Sequence, residues 1–132
     1  MAVTGLSNGV SYLFRVAAIN RLGMGFDALG PNAITPATTP FAPTGVTAAV
    51  SGSTISLNWM APESNGGSPI VNYTVYYRNT RTTKWSILSR PASTATSAVA
   101  RLSRNASYVF RVAAINGVGA SPFSGISNVA TL

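Results

Sequence analysis

The 132-residue chain contains no cysteine and no histidine. Disulfides, thiolate nucleophiles, zinc sites of the Cys/His type and imidazole acid–base catalysis are therefore excluded. Carboxylates are nearly missing as well, since Asp27 and Glu63 are the only two acidic residues. A calcium cage or a paired-carboxylate hydrolase would have almost nothing to be built from. We therefore predict that the chain is not an enzyme, and we expect no catalytic residue, no metal ligand and no cofactor site.

Charge is scarce, and what there is has one sign. Charged residues make up only 8% of the sequence, and nine basic against two acidic residues give a formal net charge of +7. Such an excess favours acidic partners such as nucleic acid, anionic glycans or membrane surfaces. The basic residues are dispersed, without the run of like charges that marks a basic tail. Ordinary solvated charge is thus the preferred interpretation, and nucleic acid is a disfavoured partner.

The sequence also lacks a long apolar run, because no stretch approaches the ~18 residues that a membrane helix needs. Residues 1–4 have neither the basic nor the apolar region of a secretory signal peptide. We expect no membrane insertion and no signal peptide in this fragment. Apolar residues nevertheless make up 46% of the chain, which is enough for a sizeable core.

The chain repeats itself at an offset of 96 residues, and residues 3–35 match residues 99–131 at 15 of 33 positions without a gap. The longest shared stretch is Tyr-x-Phe-Arg-Val-Ala-Ala-Ile-Asn, at 12–20 and again at 108–116. A period of this length corresponds to a whole small domain and not to a solenoid unit of about 20–50 residues. The first copy therefore lacks its front half.

Three prolines within residues 35–43 mark a boundary between the copies. Proline fixes φ and donates no backbone hydrogen bond, so this stretch predicts a short extended connector. We assign residues 1–36 to the C-terminal half of one domain, residues 37–42 to a linker, and residues 43–132 to a complete domain.

Beyond the connector, apolar residues alternate with polar ones at the period of a β-strand, as in Ile55-Ser-Leu57-Asn-Trp59. No window carries a helical stripe, and turn-forming residues recur every 8–12 residues or so. The pattern predicts an all-β fold, a seven-stranded antiparallel sandwich preceded by a partial copy. The predicted strands are 44–50, 53–60, 70–78, 84–89, 95–101, 107–116 and 125–132. In the first copy we expect the end of a fifth strand, a sixth strand around 12–20 and a seventh around 28–35.

Several of these positions resemble a fibronectin type III domain, whose fold is an immunoglobulin-like β-sandwich. The resemblance rests on Pro43, Ile55-x-Leu57-x-Trp59-x-x-Pro62, Tyr73-x-Val75-x-Tyr77, and Leu102-x5-Tyr108-x-Phe110-x-Val112-x-Ala114-x-Asn116-x-x-Gly119. The Gly-Gly-Ser-Pro-Ile run at 66–70 is more similar to bacterial members than to animal ones. The resemblance implies a tandem-repeat parent protein that lies outside the cell or at its surface.

Aromatic and aliphatic residues at inward strand positions form the predicted core. Tyr108 is expected to fill one end of it and to bond through its hydroxyl to backbone near Leu102. Tyr12 and Leu6 repeat that arrangement in the first copy. The predicted core residues are Trp59, Tyr73, Leu102, Tyr108 and Phe110, with Tyr12 and Phe14 in the first copy.

If Tyr108 and Phe110 point inward, then Arg111 and Ile115 point outward. The resemblance places the third, fourth, sixth and seventh strands in one sheet, which predicts a basic, partly apolar interaction surface. Its predicted members are Tyr76, Arg78, Lys84, Arg111 and Ile115. The competing and preferred interpretation is that arginine stems cover apolar sheet while their charged ends stay in water.

Two classes of function remain open. The first is a non-catalytic spacer or adhesion module of a tandem-repeat protein, with a protein partner or another copy of the chain bound through the incomplete first domain. The second is a polyanion- or carbohydrate-binding accessory module of a secreted carbohydrate-active enzyme. Residues 116–123 contain no Arg-Gly-Asp, so integrin binding of the kind known in the family is not expected. We prefer the spacer.

Overall fold

The computed structural model describes residues 2–26, 28–30 and 32–132, and every regular element among them is a β-strand. Alternating β-branched and aromatic residues explain the long strands, since such side chains fit a pleated, half-buried surface. The strands are β1 (Arg15–Val16), β2 (Ile19–Asn20), β3 (Gly23–Met24), β4 (Ala28–Leu29), β5 (Thr44–Ser51), β6 (Thr54–Met60), β7 (Asn72–Asn79), β8 (Ser86–Ile87), β9 (Ser97–Ala100), β10 (Ser107–Ile115) and β11 (Ala130–Thr131). In the described part of the chain, no helix is long and apolar enough to cross a membrane.

Strands β5 to β11 form two antiparallel sheets, in the orders β5-β6-β9 and β11-β10-β7-β8. The predicted all-β antiparallel sandwich is confirmed. The inner faces of the two sheets meet in one apolar cluster, in which Ile55, Leu57, Phe110 and Val112 are fully buried. The rings of Trp59 and Tyr73 pack edge to face inside it, with centroids 5.5 Å apart.

The other predicted core residues lie in or beside this cluster. Tyr108 is buried and donates its hydroxyl hydrogen to the carbonyl oxygen of Ser103 at 3.1 Å, while Leu102 is half-buried against the core. In the first copy, Tyr12 and Phe14 are only half-buried.

The last predicted strand, 125–132, is wrong over residues 125–129, because only Ala130 and Thr131 form a regular strand. The preceding segment instead runs beside β10 with a period of three, the period of a polyproline II helix. Ser121, Ser124 and Ser127 are buried, and each exchanges two bonds with β10. Their amides donate to the carbonyl oxygens of Ala114, Val112 and Phe110, and their Oγ atoms accept from the amides of the same three residues.

The first copy departs most from the predicted strands. Its sixth strand, expected around 12–20, is reduced to the short strands β1 and β2, and β2 pairs with β3 through Ile19 and Met24, just as Ile115 bridges to Ala120 in the complete domain. Residues 3–10 form no strand, so the expected end of a fifth strand is wrong. The expected seventh strand survives as β4 and a bridge between Tyr12 and Ile34, while Pro31 within it lies outside the described residues.

Candidate interaction surfaces

One face of the sheet β11-β10-β7-β8 points away from the core, and pairing of β7 with β10 assembles its side chains. Arg111 lies opposite Tyr76, and Val109 lies opposite Arg78. Trp85 comes directly before β8, two residues from Ile87, which pairs with Tyr76. Because alternate residues of a strand share a face, Trp85 joins the arginines on the outer side.

These side chains stack into an arginine–aromatic ladder, formed by Arg78, Trp85, Arg111, Phe123 and Tyr76. The guanidinium carbon of Arg111 lies 3.7 Å from the ring centroid of Phe123 and 4.2 Å from that of Trp85. The guanidinium carbon of Arg78 lies 5.3 Å from the same indole. Tyr76 meets Phe123 edge to face at 5.0 Å. Arg111 is thus held between two rings.

The guanidinium groups of the ladder are already engaged within the domain. Arg78 donates from Nη1 to the carbonyl oxygen of Thr82 at 2.7 Å, and Arg111 is half-buried. Cation–π contacts of this kind contribute ~0.5–2 kcal/mol each, more when water is excluded. Beneath the ladder, Val109 and Ala113 are buried although they face away from the core. The geometry therefore favours the interpretation that the arginines cover apolar sheet.

Three of the five residues predicted for this surface come together, namely Tyr76, Arg78 and Arg111. Ile115 lies on β10 but at its end, opposite Asn72, where it bridges to Ala120. Lys84 is exposed, next to Trp85 in the sequence.

Sequence reasoning missed Trp85 and Phe123. The alternation of residues 84–89 carries the signal for Trp85, because it places Trp85 and Ile87 on one face. Phe123 lies in the segment of period three, so no alternation identifies it.

A second candidate surface lies where the connector meets the complete domain, and Asn116 is at its centre. This side chain is 4% exposed. Its Nδ2 donates to the carbonyl oxygens of Thr38 (2.7 Å) and Asn65 (2.8 Å), and its Oδ1 accepts from the amides of Val118 (2.9 Å) and Gly119 (3.1 Å). One amide thus joins the connector to two loops.

Gly66 and Gly67 form a notch that receives the connector and the first copy. Both have left-handed φ, +74° and +86°, which glycine adopts without steric cost. A Cβ on Gly66 would collide with the carbonyl oxygens of Thr38 and Thr39, and one on Gly67 would collide with the backbone of Asn8 and Gly9. Glycine is therefore required at both positions by the close approach of other backbone as well as by the positive φ.

Backbone bonds complete this junction. The amide of Thr38 donates to the carbonyl oxygen of Gly66 at 2.8 Å, and that of Phe41 donates to the carbonyl oxygen of Ser64 at 3.0 Å. Pro40 and Pro43 are fully buried. The connector is therefore attached to the complete domain from Thr38 to Pro43.

Within the described ranges, no three His, Cys, Asp or Glu side chains come close enough to share a metal ion. Burial raises the pKa of Tyr73 above its ordinary value of 10.0, and this tyrosine lies in the core.

Comparison with known proteins points to one family. The model of the fibronectin type III domain matches residues 41–130. M-protein of striated muscle from Gallus gallus is 36% identical over 126 residues, which cover 89% of this chain and 8% of that protein. A Homo sapiens protein described as cell adhesion molecule-related is 38% identical over 69 residues, which cover 51% of this chain and 5% of that protein. The chain therefore spans only a small part of the length of these relatives. A crystal structure of three titin domains aligns with a TM-score of 0.74 at 30% identity, over 96% of this chain and 42% of that one.

Proposed function

Because the chain belongs to the fibronectin type III domain family, we propose that it is a non-catalytic structural module of a tandem array, in which the connector fixes how consecutive units are joined. We assign residues 1–36 to the end of one unit, residues 37–42 to the linker and residues 43–132 to the next unit. The match of the family model to residues 41–130 supports this division.

The attachment of the connector carries the proposal. A free tether would leave its backbone to water, whereas this one donates to Gly66 and Ser64 and accepts from Asn116. Each such bond contributes about 0.5–1.5 kcal/mol net, and leaving a buried partner unpaired costs more. A spacer needs a linker that is attached in this way, because such a linker fixes the position of one unit relative to the next.

The family does not decide whether the parent protein lies inside or outside the cell. The relatives compared above include one named for striated muscle and one named as cell adhesion molecule-related. Membership of the family is therefore compatible with a muscle protein and with an adhesion-related protein. A parent protein outside the cell or at its surface stays a prediction.

The test uses two glycine variants that share backbone strain and differ in surroundings. Gly66→Ala places a Cβ against the connector, whereas Gly52→Ala, also at positive φ (+58°), meets nothing within 4 Å. We expect the Thr38 amide, which donates to Gly66, to exchange with deuterium at least about tenfold faster in Gly66→Ala only. Equal exchange in the two variants would show that the connector is not held by the notch.

The polyanion- or carbohydrate-binding alternative is not supported, and the guanidinium groups of Arg78 and Arg111 stack on rings of the same domain. Chromatography on heparin at low salt separates the two functions. A spacer elutes without retention, whereas a polyanion binder is retained and is released steeply as salt rises.

A further inference from the structure

The chain contains three Asn-Gly dipeptides, and all of them lie where the connector meets the complete domain. Asn116 donates to the carbonyl oxygen of Asn65, and the backbone of Asn8 lies against Gly67. Asparagine is a thermolabile residue. It is most reactive before glycine, because no Cβ hinders attack of the next backbone nitrogen on the side-chain carbon Cγ. The three dipeptides are Asn8-Gly9, Asn65-Gly66 and Asn116-Gly117.

Two of the three asparagines are held in ways that oppose this attack. Asn116 is 4% exposed, and its Nδ2, which would have to leave as ammonia, donates two hydrogen bonds. Asn8 is exposed, but the amide of Gly9, which would be its nucleophile, donates to the carbonyl oxygen of Pro36 at 2.8 Å. The fold therefore restrains the leaving group in one pair and the nucleophile in the other.

Asn65 is set up for the same reaction. It is exposed, and its Nδ2 makes no hydrogen bond to the described residues. Its Oδ1 accepts from the amide of Gly67 at 2.9 Å, which stabilises the negative charge that attack on Cγ places on this oxygen. The amide of Gly66, the nucleophile, donates to Oγ of Ser64 at 3.1 Å, so its proton already points to an acceptor.

We propose that Asn65 is a self-modification site, set up by Ser64 and Gly67, whose isoaspartate form frees the connector. The Gly66 nitrogen bonds to Cγ of Asn65, the bond from Cγ to Nδ2 breaks, and Nδ2 leaves as ammonia with the proton that Gly66 gives up. Water then opens the cyclic imide and returns a hydrogen to the Gly66 nitrogen. Opening at Cγ gives aspartate, and opening at the main-chain carbonyl gives isoaspartate.

The two products differ in what they do to the junction. Aspartate keeps the length of the main chain, and its carboxylate still accepts from Gly67. Isoaspartate adds a methylene to the main chain directly before Gly66, where a Cβ would already collide with the carbonyl oxygens of Thr38 and Thr39. Gly66 must then move, and its carbonyl oxygen holds the Thr38 amide. This consequence rests on the proposed function, whereas the reaction itself does not.

The reaction is tested by incubating the full chain at mildly alkaline pH and mapping its peptides by mass spectrometry. Cleavage after arginine places the three asparagines on separate peptides, residues 1–15, 22–78 and 112–132. We expect Asn65 to lose ammonia faster than Asn8 and at least about tenfold faster than Asn116, which reacts only when the junction opens. Conversion of Asn8 or Asn116 before Asn65 would overturn the proposal.

Substitutions of serine test the arrangement around the nucleophile. Ser64→Ala removes the acceptor of the Gly66 proton and should slow the loss of ammonia from Asn65 several-fold. Ser64→Thr keeps a hydroxyl and should restore the rate. The matched control is Ser68→Ala, in the same loop but without a hydrogen bond to Gly66, and it should react like the unsubstituted chain. Equal rates in Ser64→Ala and Ser68→Ala would contradict the assignment.

The effect on the connector is measured by deuterium exchange on the isoaspartate form, separated from the unmodified chain by ion exchange. We expect the Thr38 amide to exchange at least about tenfold faster in this form, while the Val112 amide, which donates to Ser124, keeps its protection. Asn65→Asp adds the charge without lengthening the chain and should leave Thr38 protected. Unchanged exchange of Thr38 in the isoaspartate form would overturn the proposal, whereas the proposed function is judged separately, from Gly66→Ala in the unmodified chain.

Discussion

The same nine-residue pattern stands twice in this chain and adopts two structures. At 108–116 it lies in the continuous strand Ser107–Ile115, with every second side chain in the core. At 12–20 it yields two strands of two residues each, and Val16 and Ile19 are 67% and 77% exposed. A local sequence that is identical at eight of nine positions therefore does not suffice for a long strand. Neighbouring strands and an opposite sheet supply the rest, because β-propensity mostly measures packing.

Turn geometry, in contrast, is shared by the two copies. Asn20 accepts from the amide of Leu22 at 2.9 Å, just as Asn116 accepts from Val118. Gly9 has a φ of +79°, and its counterpart Asn105 has a φ of +58°, the left-handed conformation that both residue types tolerate. Features that need only a few consecutive residues form in both copies, and features that need distant residues form in one.

The largest difference between the copies is expected for the shared phenylalanine. Phe110→Ala removes a fully buried ring and should lower the free energy of unfolding of the complete domain by about 3–5 kcal/mol. Phe14→Ala should change that free energy by less than about 0.5 kcal/mol, because Phe14 belongs to the other copy. Denaturant unfolding followed by tryptophan fluorescence measures both, since Trp59 and Trp85 lie in the complete domain. Similar losses would mean that the copies share one core.

A smaller difference concerns the serines of period three. Ser124→Ala leaves the buried amide of Val112 without its 2.9 Å partner, which should cost about 1–3 kcal/mol in the same unfolding experiment. The first copy has Ala28 at the corresponding position. Ala28→Ser should leave stability within about 0.5 kcal/mol, because Ala28 is exposed. A gain from Ala28→Ser as large as the loss from Ser124→Ala would contradict this account.

Much of the complete domain follows from its sequence, because alternation and turn residues specify strands β5 to β10 to within a few residues. The rule of alternation fails at 121–129, because this segment has a period of three. Alternation therefore predicts neither the hydrogen bonds of its serines nor the position of Phe123. It also fails in the first copy, where the pattern is intact but no strand among the described residues pairs along 12–20 as β7 pairs along β10. Contacts at the junction, such as those of Asn116, join positions up to 78 residues apart, which no local pattern encodes.

The tyrosine that both copies share gives a finer comparison. The Tyr108 hydroxyl donates to the Ser103 carbonyl, whereas the Tyr12 hydroxyl accepts from the amide of Ser7 at 3.0 Å at an exposed position. Tyr108→Phe should lower the free energy of unfolding by about 1 kcal/mol, and Tyr12→Phe should not change it measurably. Thermal unfolding resolves the two variants. Equal effects would show that the hydrogen bond of the tyrosine hydroxyl to nearby backbone contributes as much to stability in the first copy as in the complete domain.

The smallest effect at neutral pH is expected for Tyr73, which lies on β7, a strand without a counterpart among the described residues of the first copy. Burial raises the pKa of Tyr73 above 10.0, so the folded state holds the phenolic proton more tightly than the unfolded state. The associated stability is fully present below pH 10 and is lost as the pH rises through the folded pKa. Tyr73→Phe should therefore flatten the decline of the free energy of unfolding above pH 10 and change it little at pH 7. If the free energy of unfolding of Tyr73→Phe fell just as steeply above pH 10, the decline would have to be assigned to a group other than Tyr73.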